Sequence, residues 1–201
     1  MTSYFVTSTG TGIGKTFVTA ALAHQHGLAA YKPISCGGTE DAEVLMAATG
    51  QGLETTSPWR YAAPLTPSMA AAKEGKSVNL PGLIAWSKSR SGLIEGVGGV
   101  MAPLTEKETI VDWMKGVNWP VILVVGSYLG SLSHTLTALE VLKANKLRTA
   151  AIIISESVEN NIGLRETRDA LASFTKHVPQ LITLPRATSW KQAEMDTEWM
   201  E

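Results

Sequence analysis

The run Ser8-Thr9-Gly10-Thr11-Gly12-Ile13-Gly14-Lys15-Thr16 directly follows the apolar stretch Tyr4-Phe5-Val6 and holds the residue types that bind a phosphate. Its glycines let successive backbone N–H groups curl around an anion. The Lys15 ammonium adds a point charge, and the Thr16 hydroxyl can ligate a Mg²⁺ carried in on phosphates. A helix from Phe17 to about His26 would aim the positive end of its dipole at the same spot. Gly12, Ile13, Gly14, Lys15, Thr16 and Phe17 are therefore expected to contact a nucleotide.

Other reactive groups stand where short apolar runs end. Tyr31-Lys32-Pro33 brings a second ammonium to the same face. Phosphoryl transfer rests on positioning and on neutralising charge at the moving group, which a lysine pair provides. Leu93-Ile94-Glu95 closes another run, and Gly96-Val97-Gly98-Gly99 after it permits close approach. Glu95 is the first metal candidate, because Mg²⁺ is usually held by one or two carboxylates with substrate phosphates and water. Without a cation, a glutamate buried there would be costly. Asp41 is a candidate second carboxylate, with Glu40 and Glu43 competing for the role, and acids in a first helical turn also suit the dipole. Gly126 to Ser133 opens a helix whose free N–H groups either form a second anion site, suited to a carboxylate, or are capped by serines alone. His134, inside that helix, reads as structural.

The elements that must position these groups alternate along the chain. Strand-like runs at Ser3–Thr7, Leu28–Tyr31, Gly92–Glu95, Val121–Val125, Thr149–Ile154 and Leu181–Leu184 separate helical stretches. Those fall at Thr16–His26, Glu40–Thr49, Ser68–Glu74, Leu80–Lys88, Thr109–Lys115, Ser131–Asn145 and Ile162–His177. Continuous apolar runs such as Val121-Ile122-Leu123-Val124-Val125 mark strands buried on both faces. The pattern predicts an α/β fold of the P-loop type, a mainly parallel sheet with helices on both faces and ligands outside the carboxyl ends of the strands. Residues 1–201 read as one domain, with Gln51 to Pro67 a long surface loop and Thr188 to Glu201 a weakly ordered acidic tail.

Composition narrows the partners. A net charge of −1 supplies no basic field for nucleic acid and no cationic face for a membrane. The first residues lack a charged segment followed by a long apolar one, so a cytoplasmic protein is expected. The single cysteine, Cys36, cannot form an internal disulfide and argues against structural zinc.

Taken together, Tyr4-Phe5-Val6-Thr7, Gly14-Lys15-Thr16, Tyr31-Lys32-Pro33, Asp41-Ala42, Glu95 to Gly99, Pro103-Leu104, Asp112-Trp113, Pro120 to Gly126, Leu129-Gly130 and Ser133-His134 resemble the dethiobiotin synthetase family over roughly positions 3 to 185. The resemblance implies an ATP-dependent ring closure. In it 7,8-diaminononanoate takes up CO₂ as a carbamate, the γ-phosphate of ATP is transferred to it, and the second amine closes the ureido ring with release of ADP and phosphate. Carried onto this sequence, Lys15 and Lys32 would stabilise the carbamate and the transferring phosphoryl group. Thr16, Asp41 and Glu95 would hold Mg²⁺, and Thr11 and Gly98 would line the diamine and carbamate. Asp41, Glu95, Gly98, Glu156, Leu184 and Pro185 would join Gly12 to Phe17 around the nucleotide. Members of the family are homodimers, and the helix start Gly130, Ser131, Leu132 and Ser133 would receive the substrate carboxylate across the interface.

The sequence also departs from that family. Gly12 replaces a glutamate, and Cys36 replaces a serine that contacts substrate. Glu156 stands where an asparagine commonly meets adenine; an ionised glutamate accepts but cannot donate, so an altered base preference is expected. Two other readings stay open. A cobyrinate-type amide ligase would need an ammonia-supplying domain. A partition-type ATPase scaffold would carry an additional loop lysine where this chain has Gly10, and Thr9 also breaks the common GxxxxGK[ST] pattern.

Overall fold

The computed structural model describes residues 3–159 and 162–200. Its main sheet is built from β1 (Tyr4–Ser8), β2 (Ala30–Tyr31), β5 (Leu93–Glu95), β6 (Val121–Gly126), β7 (Thr149–Ser155) and β8 (Leu181–Leu184). These lie in the order β2-β5-β1-β6-β7-β8 with every pairing parallel. The connections carry α1 (Lys15–His26), α2 (Glu40–Thr49), α4 (Pro67–Lys73), α5 (Leu80–Lys88), α6 (Ile110–Val117), α7 (Ser131–Ala144) and α8 (Leu164–Ala172). Among the described residues no helix is long and apolar enough to cross a membrane.

The period-2 geometry of the strands sorts side chains into two cores. Val121, Leu123 and Val125 face one with Phe5, Trp113 and Leu142, whereas Ile122 and Val124 face the other with Val18, Leu22 and Leu45. Both faces are therefore covered, which explains why the strands read as unbroken apolar runs. Trp113 anchors the first core. It meets Phe5 edge-on at 4.8 Å, and its indole N–H donates to Ser87 Oγ at 3.0 Å, so its one polar atom is satisfied on burial. Asp112 accepts from both the N–H and the hydroxyl of Thr109, fixing the start of α6.

Two segments differ from the sequence reading. Gln51 to Pro67 is not simply a surface loop. It contains α3 (Leu53–Thr56) and β4 (Trp59–Tyr61), and β4 pairs in parallel with β3 (Ile34–Cys36) as a separate small sheet. Each strand is only three residues long, which leaves almost no periodicity to read. The segment from Thr188 is likewise no loose tail. It makes 3₁₀ turns at Trp190–Gln192 and Glu198–Met200 and buries Ala193, Met195 and Met200 on the α1 side. Gln25 and His26 both bond Thr197, and Trp199 meets Tyr4 edge-on. Its Trp and Met residues supply the apolar area that holds it down, outweighing the acidic residues between them. α8 is also shorter than expected, ending at Ala172.

Candidate functional site

β1 ends at Ser8 and α1 begins at Lys15, so the glycine-rich run forms the turn between them. Gly12 and Gly14 have φ of +72° and +95°, a region that side chains disfavour. A Cβ on Gly14 would also lie 2.6 Å from Ser155 Oγ at the end of β7. The turn after β5 packs against the same cradle: a Cβ on Gly99 would sit 3.2 Å from backbone atoms of Thr9 and Gly10. Lys15 folds back over its own loop, with Nζ 3.2 Å from Ser8 Oγ and 3.3 Å from the Gly10 carbonyl. Burial lowers its pKa to about 8, opposed by the nearby Glu95 carboxylate and reinforced by the Lys32 charge.

Lys32, immediately after β2, is buried between two carboxylates. Its Nζ lies 2.6 Å from Glu95 Oε1 and 2.9 Å from Asp41 Oδ2. Burial works against the ammonium, but these two partners override it and raise its pKa. Burial opposes the Asp41 anion as well, and the Lys32 charge more than compensates, so its pKa is lowered. The Thr16 hydroxyl donates to the same Glu95 Oε1 at 2.9 Å. The adjacent Oε2 is buried with no hydrogen-bond partner. Four chain segments, the starts of α1 and α2 and the ends of β2 and β5, thus place Lys15, Thr16, Lys32, Asp41 and Glu95 together. Of the other acids in the first turn of α2, Glu43 accepts from the Thr39 hydroxyl and Glu40 folds over Gly38, leaving Asp41 as the one bonded to Lys32.

A cleft of about 1050 Å³ opens over this cluster. Thr11, Gly12, Gly14, Lys15, Thr16 and Phe17 form its floor, and Lys32, Cys36, Asp41 and Gly98 also line it. Ile13 turns away into the apolar cluster beside α1. Gly98 faces Thr11, whose Oγ1 is 4.0 Å from where a Cβ would be. Burial pushes the Cys36 thiol up to about 11, so it sits in the cleft uncharged. Glu156 and Leu184 form a corner at the ends of β7 and β8. The Glu156 carboxylate accepts from the Arg186 N–H at 2.8 Å, and its own N–H donates to the Leu184 carbonyl. Ser155, beside Gly14, joins that corner, which includes Pro185, to the glycine turn.

Gly130, Ser131, Leu132 and Ser133 do not line this cleft; Ser131 is buried and Leu132 packs on the core. The part of α7 that reaches it is His134, Thr137, Ala138 and Val141. Their i, i+3, i+4, i+7 spacing is a stripe that sequence reading could have marked. The wall formed by Pro64 to Pro67 was missed because its segment read as surface loop; Ser8, which opens the glycine-rich run, was given no role of its own, and it accepts from Lys15.

Residues 2–194 match the family model described as an AAA domain. The ATP-dependent dethiobiotin synthetase BioD of Caulobacter vibrioides is 43% identical over 210 residues, covering 94% of this chain and 95% of that protein. The enzyme of the same name from Methylobacterium nodulans is 41% identical over 184 residues, covering 78% and 82% respectively. That of Legionella pneumophila strain Paris is 34% identical over 192 residues, covering 88% and 91%. Among solved structures, the septum site-determining protein MinD of Pyrococcus horikoshii, complexed with Mg-ADP, superposes with a TM-score of 0.59 at 16% identity, over 92% of this chain and 82% of that one. The signal recognition particle receptor FtsY of Elizabethkingia anophelis gives 0.54 at 12% identity over 98% of this chain, which spans 61% of that chain's length. The two structural likenesses speak to a shared P-loop fold alone.

Proposed function

The chain belongs to the ATP-dependent dethiobiotin synthetases, and from that premise we propose that its cleft carries the carbamate of 7,8-diaminononanoate past two ammonium groups to the terminal phosphate of ATP. The observation that carries this reading is Lys32 held between Glu95 and Asp41, with Glu95 also bonded to the threonine that follows Lys15. CO₂ adds to one amine. The carbamate oxygen attacks the γ-phosphorus, and the bond from that phosphorus to the β-bridging oxygen breaks as ADP leaves. The second amine then attacks the carbamoyl carbon, and the ring closes as the C–O bond to phosphate breaks. Lys15 and Lys32 stabilise charge on the moving phosphoryl group, and Thr11 and Gly98 line the carbamate.

The residues present fit Mg²⁺. Glu95 Oε2 is a buried acceptor with no partner, and the neighbouring donors are all hard oxygens. Mg²⁺ is usually held by one or two carboxylates and keeps phosphates and waters as its other ligands. Thr16, Glu95 and Asp41 would hold it. When bound, Mg²⁺ neutralises charge on the phosphates. Lys32 bonds one oxygen of each carboxylate, Glu95 Oε1 and Asp41 Oδ2, and leaves Glu95 Oε2 to the ion.

Gly12 to Phe17 would hold the phosphates, and Glu156, Leu184 and Pro185 the nucleoside. On the same premise we propose a cytoplasmic homodimer, with the Gly130 to Ser133 turn taking the partner's substrate carboxylate. Exposed Leu129 and Val158 beside that turn supply apolar surface for the contact, and a monomer mass in sedimentation equilibrium would contradict it. The activity is tested by incubating the protein with the diamine, bicarbonate, Mg²⁺ and ATP and looking by mass for the cyclic urea. Product is expected, and Lys32→Ala should lower its rate about 10²–10³-fold; full turnover by that variant would remove Lys32 from the chemistry.

A further inference from the structure

We infer that His134 is the proton acceptor for the ring-closing amine, an inference that rests on the diamine reading of the cleft. Each bond that an amine forms in this reaction releases a proton, and the two lysines and the carboxylates they hold are poor acceptors for it. Lys15 and Lys32 are needed as cations, and Asp41 and Glu95 are paired with Lys32. Glu40, at the cleft rim, folds over Gly38, and the Cys36 thiol is held protonated near neutrality. His134 is the one imidazole lining the cleft among the described residues.

Its setting is that of an oriented base. Tyr128, in the turn between β6 and α7, places its hydroxyl oxygen 2.8 Å from His134 Nδ1. The tilted ring pair, with centroids 5.7 Å apart, holds the imidazole plane against the turn. In the tautomer where Nδ1–H donates to the tyrosine oxygen, Nε2 keeps its lone pair and is the nitrogen that can accept a proton. That same bond persists when Nε2 gains a proton, so accepting one costs no rearrangement. On α8, which packs beside α7, Arg165 pairs with Asp169, Glu166 accepts from the Gly163 N–H, and Arg168 is exposed. The other titratable groups facing the cleft are Lys15, Lys32, Cys36, Glu40 and Asp41.

In the step assigned here, the amine lone pair forms the bond to the carbamoyl carbon. The C–O bond to phosphate breaks with its electron pair leaving on phosphate, and the amine proton passes to Nε2. The imidazole must be neutral to act, so activity should fall as pH is lowered.

The test follows cyclic urea formation in single turnover from about pH 5.5 to 9 for the wild type, His134→Gln and His134→Ala, with ATP affinity measured by calorimetry. The inference expects both variants to lose about 10²–10⁴-fold in the ring-closing rate and to lose the acidic limb of the profile. Added imidazole should restore part of the rate to His134→Ala, while ATP affinity stays within about twofold. A His134→Gln enzyme with full rate and an unchanged limb would overturn it. So would a slow His134→Ala enzyme that keeps the limb and ignores imidazole, because that pattern marks a structural role. A wild type that binds ATP but yields no cyclic urea would instead sink the diamine reading, and this inference with it.

Discussion

Lys15 sits in its cradle at a cost that shows in its acidity, and the consequence is measurable. Burial brings its pKa to about 8, so the ammonium that phosphates select is increasingly lost above that pH. ATP must then restore the proton as it binds, and affinity should fall as pH rises through about 8, approaching tenfold per pH unit. Calorimetric titrations at several pH values check this, and a flat dependence between pH 7.5 and 9.5 would contradict it. Glu156 supports a second expectation. A carboxylate only accepts, so it suits the paired N–H donors of guanine better than adenine, which sets an acceptor beside its amino group. GTP should compete with ATP at comparable concentration, and Glu156→Asn should swing the preference to ATP; strong ATP preference in the wild type would end the idea. Residues of this kind were legible in the sequence because covalent spacing fixes them, as with Gly14-Lys15-Thr16, or because they close an apolar run, as with Lys32 and Glu95. The bonding of Asp41 rather than Glu43 to Lys32 was not legible, since one turn of helix offers both and only packing against the sheet selects one.

Elements long enough to show a period were readable, and the short ones were not. α2, α5 and β8 fall where the sequence placed them, while β3 and β4 escaped because three residues carry no pattern. The last residues were misjudged for a different reason. Their acidic residues suggested solvent, but the side chains that decide the matter, Met195, Trp199 and Met200, have partners on α1 and β1 that sequence separation hides. This segment braces the helix that carries Lys15 and Thr16, bonding it through Gln25 and His26. Met195→Ala should therefore cost about 2 kcal/mol and lower the melting midpoint by roughly 4–8 °C. An unchanged melting curve would show the segment to be a passive covering.

At the scale of the whole molecule, the parallel sheet draws every reactive group to one face. Ser8, Lys32, Glu95 and Ser155 all lie at carboxyl ends of strands or one residue beyond, and the cleft forms where their loops meet. That arrangement was legible because continuous apolar strands alternating with helices admit few other architectures. The far wall of the cleft was not, since the face α7 presents depends on how it packs over the sheet. Attack of a carbamate oxygen on the terminal phosphate would leave an isotopic record. With ¹⁸O-labelled bicarbonate, the diamine, Mg²⁺ and ATP in a rapid-quench reaction, released phosphate should carry one labelled oxygen for each cyclic urea formed. Cyclic urea accompanied by unlabelled phosphate would contradict it.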